Sequence, residues 1–176
     1  MPAQARIELT REQLAEFAAF YEGDFTPLVG LLIRSGASRD EAQDVAQEAM
    51  QVTLTNWPGV QSPKAFVRTV ALRTLRRSWR VTQRDISAGK RVAQDAMTAA
   101  FDANEDIEEA IRMLRMLPEA QRVAFALHHD GYGHAEIAEI TGQHRDTVRS
   151  NLRHARQKLL RMLNPDSTRK EANHGP

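Results

Sequence analysis

Residues 133–158 constrain this chain more than any other stretch, because their pattern admits few folds. Ala135, Ile137, Ala138 and Ile140 supply apolar surface at helical spacing, and Gly142 follows the last of them. Glycine accepts a positive φ at no steric cost, so a helix ends easily there. Beyond it, Val148, Leu152, Ala155 and Leu159 fall on one stripe of a second helix by the i, i+4, i+7 rule. Arg149, Ser150, Arg153 and Arg156 lie largely off that stripe. A short apolar helix, a tight turn and a longer basic helix form a helix-turn-helix pattern. Its second helix carries side chains that can reach phosphates and base edges in a major groove. An ordinary helical hairpin with a solvated basic face is the alternative.

The rest of the chain is also helical in pattern, which makes the expected fold class all-α: two small helical domains joined by a flexible linker, the C-terminal one a helix-turn-helix. Thr10 and Gln13 form a capping box, after which Leu14, Phe17, Phe20, Tyr21, Phe25, Leu28, Val29 and Leu32 recur at helical spacing. Gly23 and Pro27 interrupt that run, so it predicts one long or two short helices, with these apolar residues in the core. Ser38 and Glu41 form a second box, opening a helix that stops at Pro58-Gly59, with Val45, Ala49 and Val52 on its buried side. Ser62-Pro63 caps a third helix reaching to about Arg80, with Phe66, Val67, Val70 and Leu75 toward a core. Residues 81–104 show no clean period and read as a linker, with a little helix around Val92–Ala100. Ile107, Ile111, Leu114 and Leu117 resume the helical period, and Val123, Ala124 and Leu127 continue it past Pro118. Residues 164–176 are polar and read as a disordered tail. The expected domains are therefore 10–80 and 105–163, with 81–104 between them.

Net charge says little, because 24 Lys and Arg face 23 Asp and Glu; the distribution says more. From Arg11 to Glu48, eight acids meet three arginines. From Trp57 to Arg91, nine basic residues meet the single acid Asp85. A run this one-sided repels itself unless it meets a polyanion. Phe66 and Trp79, interleaved with the arginines, can stack on unpaired bases or pack in a core. Acids favour a helix N-terminus, but Asp44, Gln47 and Glu48 lie deeper than the first turn. One face of the first domain thus suits a basic protein and another suits nucleic acid. A linker of that length spans roughly 25–30 Å as a coil, and it makes a second contact on the same nucleic acid effectively intramolecular.

Other chemistries find little support. The chain has no cysteine, which excludes disulfides and thiolate–zinc sites and suits a reducing cytoplasm. His128 and His129 are adjacent and project differently on a helix, so with His134 they do not make a metal cluster. The carboxylates of the second helix lack a Glu-x-x-His partner. No nucleophile–base pattern or phosphate-binding glycine loop appears, so neither catalytic residue, metal nor cofactor is expected. No apolar run approaches a bilayer span of about 20 residues, and the N-terminus has no signal-peptide core. The expectation is a soluble cytoplasmic protein without membrane insertion.

Residues 40–57, DEAQDVAQEAMQVTLTNW, resemble the "AEDLVQEVFLRAW" segment of bacterial sigma factors. LPEAQRVAFAL at 117–127, EIAEI at 136–140 and TVRSNLRHAR at 147–156 are similar to the promoter-binding C-terminal domain of the same family. Order and spacing resemble the small extracytoplasmic-function group of the sigma-70 family over about residues 12–163. The resemblance implies a factor that binds core RNA polymerase and directs promoter-specific initiation. Asp44, Gln47 and Glu48 would dock on the β′ clamp, and the C-terminal domain would meet the β flap. Lys64, Phe66, Arg68, Arg73, Arg76, Arg77, Trp79 and Arg80 would hold the −10 element as a single strand. The loop at about 57–62 lies where the family captures a flipped base. Arg145, Thr147, Arg149, Ser150, Arg153 and His154 would read the −35 duplex. An anti-sigma factor and association with the nucleoid through polymerase are further implications.

Four departures point to an altered promoter consensus: Leu72-Arg73 in the melting helix, Met50 for the usual aromatic, Gly133 for a polar cap, and Asn151 for a basic residue. The rival readings are an autonomous helix-turn-helix regulator binding a palindrome as a dimer, and a protein-interaction module without promoter recognition.

Overall fold

The computed structural model describes residues 9–87 and 105–164, and every regular element among them is helical. The helices are α1 (Arg11–Arg34), α2 (Arg39–Asn56), α3 (Pro63–Ser87), α4 (Glu105–Arg115), α5 (Glu119–His129), α6 (His134–Thr141) and α7 (Arg145–Leu163), with a 3-10 turn at Trp57–Gly59 after α2. Contacts group α1 up to Leu32, α2 and α3 into one unit, and α4 to α7 with residues 33–38 into another. The bulk of the expected linker and the tail from Pro165 lie outside the described residues, as does the helix expected around 92–100.

In the first unit, α1 opens on a reciprocal cap. The Thr10 amide donates to Gln13 Oε1 at 3.0 Å, and the Gln13 amide donates to Thr10 Oγ1 at 3.2 Å. The helix then runs unbroken through Gly23 and Pro27, so of the two expected forms the chain takes the single long helix. An internal proline costs about 3 kcal/mol. Leu28, Leu31 and Leu32 are wholly buried immediately after it, and each such burial contributes about 1.5–3 kcal/mol, which offsets the loss. Leu14 and Tyr21, expected in the core, are instead exposed.

Helix α2 buries Ala42, Val45, Ala46, Ala49, Met50 and Thr53, and packs along α3 through Val67, Ala71, Leu72 and Leu75. The breaker pair Pro58-Gly59 ends α2 as expected, and the Phe66 amide begins α3 by donating to the Ser62 carbonyl at 2.9 Å. Past Arg80 the helix continues to Ser87, into the segment read as linker.

In the second unit, Leu114, Leu117 and Ala155 form a core with Phe125 and Leu159 against it. Lys158 of α7 donates to the Met116 carbonyl just past the end of α4, at 2.7 Å. Ile107, where the helical period resumes, is half exposed. Glu136 reaches back to accept from the Gly133 amide at 2.8 Å, which supplies a cap that glycine has no side chain to give. At the other end of α6, Gly142 sits at φ 68°, and the Gln143 amide returns to the Ala138 carbonyl at 3.0 Å. A side chain at that φ costs roughly 1–2 kcal/mol, which is why the turn is built on glycine. Val148, Leu152 and Ala155 are the buried stripe of α7.

Candidate polymerase and nucleic-acid interfaces

Because α2 buries its Ala42, Val45, Ala46, Ala49 and Met50 side, its opposite side is left to solvent. Asp44, Gln47 and Glu48 all lie there, exposed, with Asp40, Gln43 and Gln51 beside them. Asp44 and Glu48 are four residues apart on one face, where like charges repel mildly. Glu41 behaves differently from its neighbours. Its Oε1 accepts from Ser78 Oγ at 2.5 Å, and its Oε2 accepts from Trp79 Nε1 at 3.4 Å. This carboxylate therefore ties α2 to α3.

The residues expected on the basic helix α3 separate into two sets. At about 100° per residue, Phe66, Arg73, Arg77 and Arg80 fall within about 60° of one another. The three arginines of this stripe are exposed and Phe66 is half-buried. Arg76 is half-buried at its edge. Lys64, Arg68 and Trp79 lie on the other side. Lys64, in the first turn, is exposed, and Trp79 is half-buried with its indole N–H directed at Glu41.

Arg68 does not reach solvent. Its Nη1 and Nη2 donate to Asp24 Oδ2 at 2.6 Å and Oδ1 at 3.2 Å, and Nη1 also donates to the Lys64 carbonyl at 3.1 Å. The two side chains are 5% and 6% exposed, so this guanidinium is a strut between α1 and α3. The start of the 57–62 loop is held by rings of α1: Trp57 meets Phe17 edge-on at 5.2 Å and Phe20 at 5.4 Å between centroids.

Helix α7 likewise presents two lines. Arg145, Arg149, Arg153 and Arg156 share one, all exposed. Thr147, Ser150 and His154 share the next, with Ser150 half-buried. Arg149 Nη1 lies 3.3 Å from Asp146 Oδ1, an exposed pair one turn apart that orders the first turns. Asn151, where the resemblance has a basic residue, donates to Gln143 Oε1 at 3.3 Å and braces the turn. A shallow groove with a leucine floor, Leu152 and Leu160, runs beside the arginine line and is rimmed by His134, Arg149, Arg153 and Arg156. Arg156 was not among the residues expected to contact DNA. In α5, burial lowers the Arg122 guanidinium from its ordinary pKa; Glu119 opposes that effect and Arg115 adds to it. Its Nη1 donates to the Arg115 and Leu117 carbonyls at 3.2 and 3.3 Å, satisfying the end of α4.

Among the described residues, no group of three His, Asp or Glu side chains is placed to hold a metal ion, and no helix is long and apolar enough to cross a membrane. A search of curated proteins returns no match. The family described as "Sigma-70, region 4" matches residues 107–159. Two solved structures share the fold over most of the chain. The sigma factor RpoE of Bartonella quintana, solved with the anti-sigma factor NepR, superposes with a TM-score of 0.74 at 22% identity, over 86% of this chain and 98% of that one. CnrH, solved with the cytosolic domain of CnrY, gives 0.65 at 18% identity, over 87% and 90%. Residues 107–159 thus match region 4 of sigma-70, and the helical fold of both solved structures extends over most of the chain.

Proposed function

We propose that this chain is a sigma factor of the extracytoplasmic-function group, with its work divided among three surfaces: α2 docks on the β′ clamp of core RNA polymerase, α3 holds melted −10 DNA, and α7 reads the −35 duplex. The docking surface is Asp44, Gln47 and Glu48. The −10 surface is the stripe of Phe66, Arg73, Arg77 and Arg80 with Arg76 at its edge; Lys64 and Trp79 flank it, and Arg68 supports it from within. The −35 surface is Arg145, Thr147, Arg149, Ser150, Arg153 and His154. Residues 10–80 then act as region 2 and 105–163 as region 4, the latter also facing the β flap, with 81–104 as the tether and 164–176 as a tail.

The observation that carries this reading is the opposition of faces in the first unit. The acids of α2 and the arginine stripe of α3 both point to solvent from helices whose other sides pack on each other. An acidic face matches a basic protein partner, and an arginine stripe matches phosphate. Initiation needs no catalytic group from this chain, since the nucleotidyl chemistry belongs to the core enzyme. Likeness to the RpoE–NepR complex supports an anti-sigma factor as a further partner, and polymerase and promoter place the protein's work in the cytoplasm.

Run-off transcription with purified core polymerase tests the proposal. Addition of the protein should produce transcripts from a subset of promoters, and lysine at Asp44 and Glu48 should abolish them. Tight binding of palindromic duplex by a dimer, without polymerase, would establish the autonomous regulator instead.

A further inference from the structure

His128 lies at the end of α5, and its two ring nitrogens are engaged in different ways. Nε2 lies 2.7 Å from Arg156 Nη2, and Nδ1 lies 3.4 Å from the Tyr132 carbonyl oxygen. An arginine nitrogen can only donate and a carbonyl oxygen can only accept. The contacts are therefore satisfied together by one form of the ring: neutral, with the proton on Nδ1 and the lone pair on Nε2 facing the guanidinium. The arginine that this lone pair holds is the fourth of the α7 line, and it rims the same groove as Arg149, Arg153 and His134. The His134 ring, at the first residue of α6, is 6.0 Å from the His128 ring. His128 thus joins α5, the α5–α6 corner and the recognition helix at one point.

We propose that Arg156 is a further phosphate-contacting residue of the −35 surface, and that His128 is the positioning residue that orients its guanidinium. The proposal rests on the assignment of α7 to the −35 duplex. An unrestrained arginine samples many rotamers, and part of a phosphate contact is lost in freezing them. A histidine acceptor removes that freedom beforehand and leaves the other guanidinium N–H groups for a phosphate. Protonated histidine has no acceptor and would face Arg156 as a second cation.

The test uses the full chain with core polymerase and a promoter whose −35 element limits occupancy. Arg156→Ala and His128→Phe should each lower occupancy about three- to tenfold, the scale of one hydrogen bond or charged contact. The double variant should fall no further than the worse single one. His128→Gln, whose amide can accept from Arg156 and donate to Tyr132, should recover most of the loss. Additive losses, a phenylalanine variant equal to wild type, or a glutamine variant as weak as phenylalanine would each overturn the proposal.

Ring-nitrogen spectra of the labelled full chain, recorded without DNA, judge the pair independently. The expected result is the Nδ1-protonated neutral form with an Nε2 signal that moves in Arg156→Ala; an Nε2-protonated ring, or no movement, overturns the pairing. Failure of wild-type protein to give any promoter-dependent transcript overturns the sigma-factor assignments of the preceding subsection, and with them the DNA role of Arg156, which separates that failure from a failure of the pair.

Discussion

Arg68 separates a structural role from a DNA-binding one more cleanly than any other residue of α3. The Asp24–Arg68 pair has two short hydrogen bonds and side chains that are 5% and 6% exposed. Arg68→Met removes the cation and leaves a carboxylate with almost no access to water. Breaking a buried pair in this way costs about 3–5 kcal/mol, a large part of the roughly 5–15 kcal/mol that holds a domain together. For a unit of this size each kcal/mol moves the midpoint by about 4–8 °C. The single variant should therefore melt at least about 12 °C lower, or fail to fold.

Asp24→Leu combined with Arg68→Met replaces the pair by apolar groups. It should recover the loss, since such replacements are often neutral or stabilising. Calorimetry of the three proteins reads the stability, and run-off transcription reads the function. If Arg68 is only a strut, the double variant regains transcription together with its midpoint. A single variant as stable as wild type would refute the buried-charge reasoning. A double variant that refolds fully yet leaves −10 melting impaired would show that the guanidinium touches DNA.

Other outcomes follow from surface residues. Lysine at both Asp44 and Glu48 should abolish capture by core polymerase while changing unfolding free energy by less than about 1 kcal/mol, because both are exposed; retained capture in a pull-down would sink the docking assignment. Arg149→Ala should reorder preference among −35 variants by about 1–3 kcal/mol, and equal losses on every promoter would reduce Arg149 to a phosphate contact. Arg77→Ala, on the exposed stripe of α3, should weaken open-complex formation without changing −35 preference and should flatten its dependence on salt. Gly142→Ala meets no neighbouring atom but must adopt φ 68°, so thermal unfolding should show a cost of roughly 1–2 kcal/mol; an unchanged midpoint would mean that the turn can relax.

Local signals in the sequence anticipated local structure well. The Thr10–Gln13 box, the Pro58-Gly59 stop and the Gly142 turn each act within a few residues, so propensity and spacing suffice to read them. Long-range pairing was not legible. Arg68 looked like one more surface cation in a basic run, because its partner lies on another helix 44 residues upstream. Spacing left Trp79 open between base stacking and core packing, because the Glu41 carboxylate that accepts from its indole N–H lies on another helix 38 residues upstream. His128 and Arg156, 28 residues apart, meet only once α5 and α7 are packed. Period alone also overstated the core at Leu14 and Tyr21, since helical spacing marks a side of a helix but not how far its neighbours extend along it.

The carboxylate of Glu41, bound to Ser78 and Trp79, ties α2 to α3 across their shared core. If α2 seats on the enzyme and α3 holds the separated strand as proposed, a tilt of α2 is passed to α3 through this fastening. The angle at which the strand is presented is then inherited from the mounting. A variant that loosened this fastening should still attach and still bind DNA, but start transcripts at scattered positions.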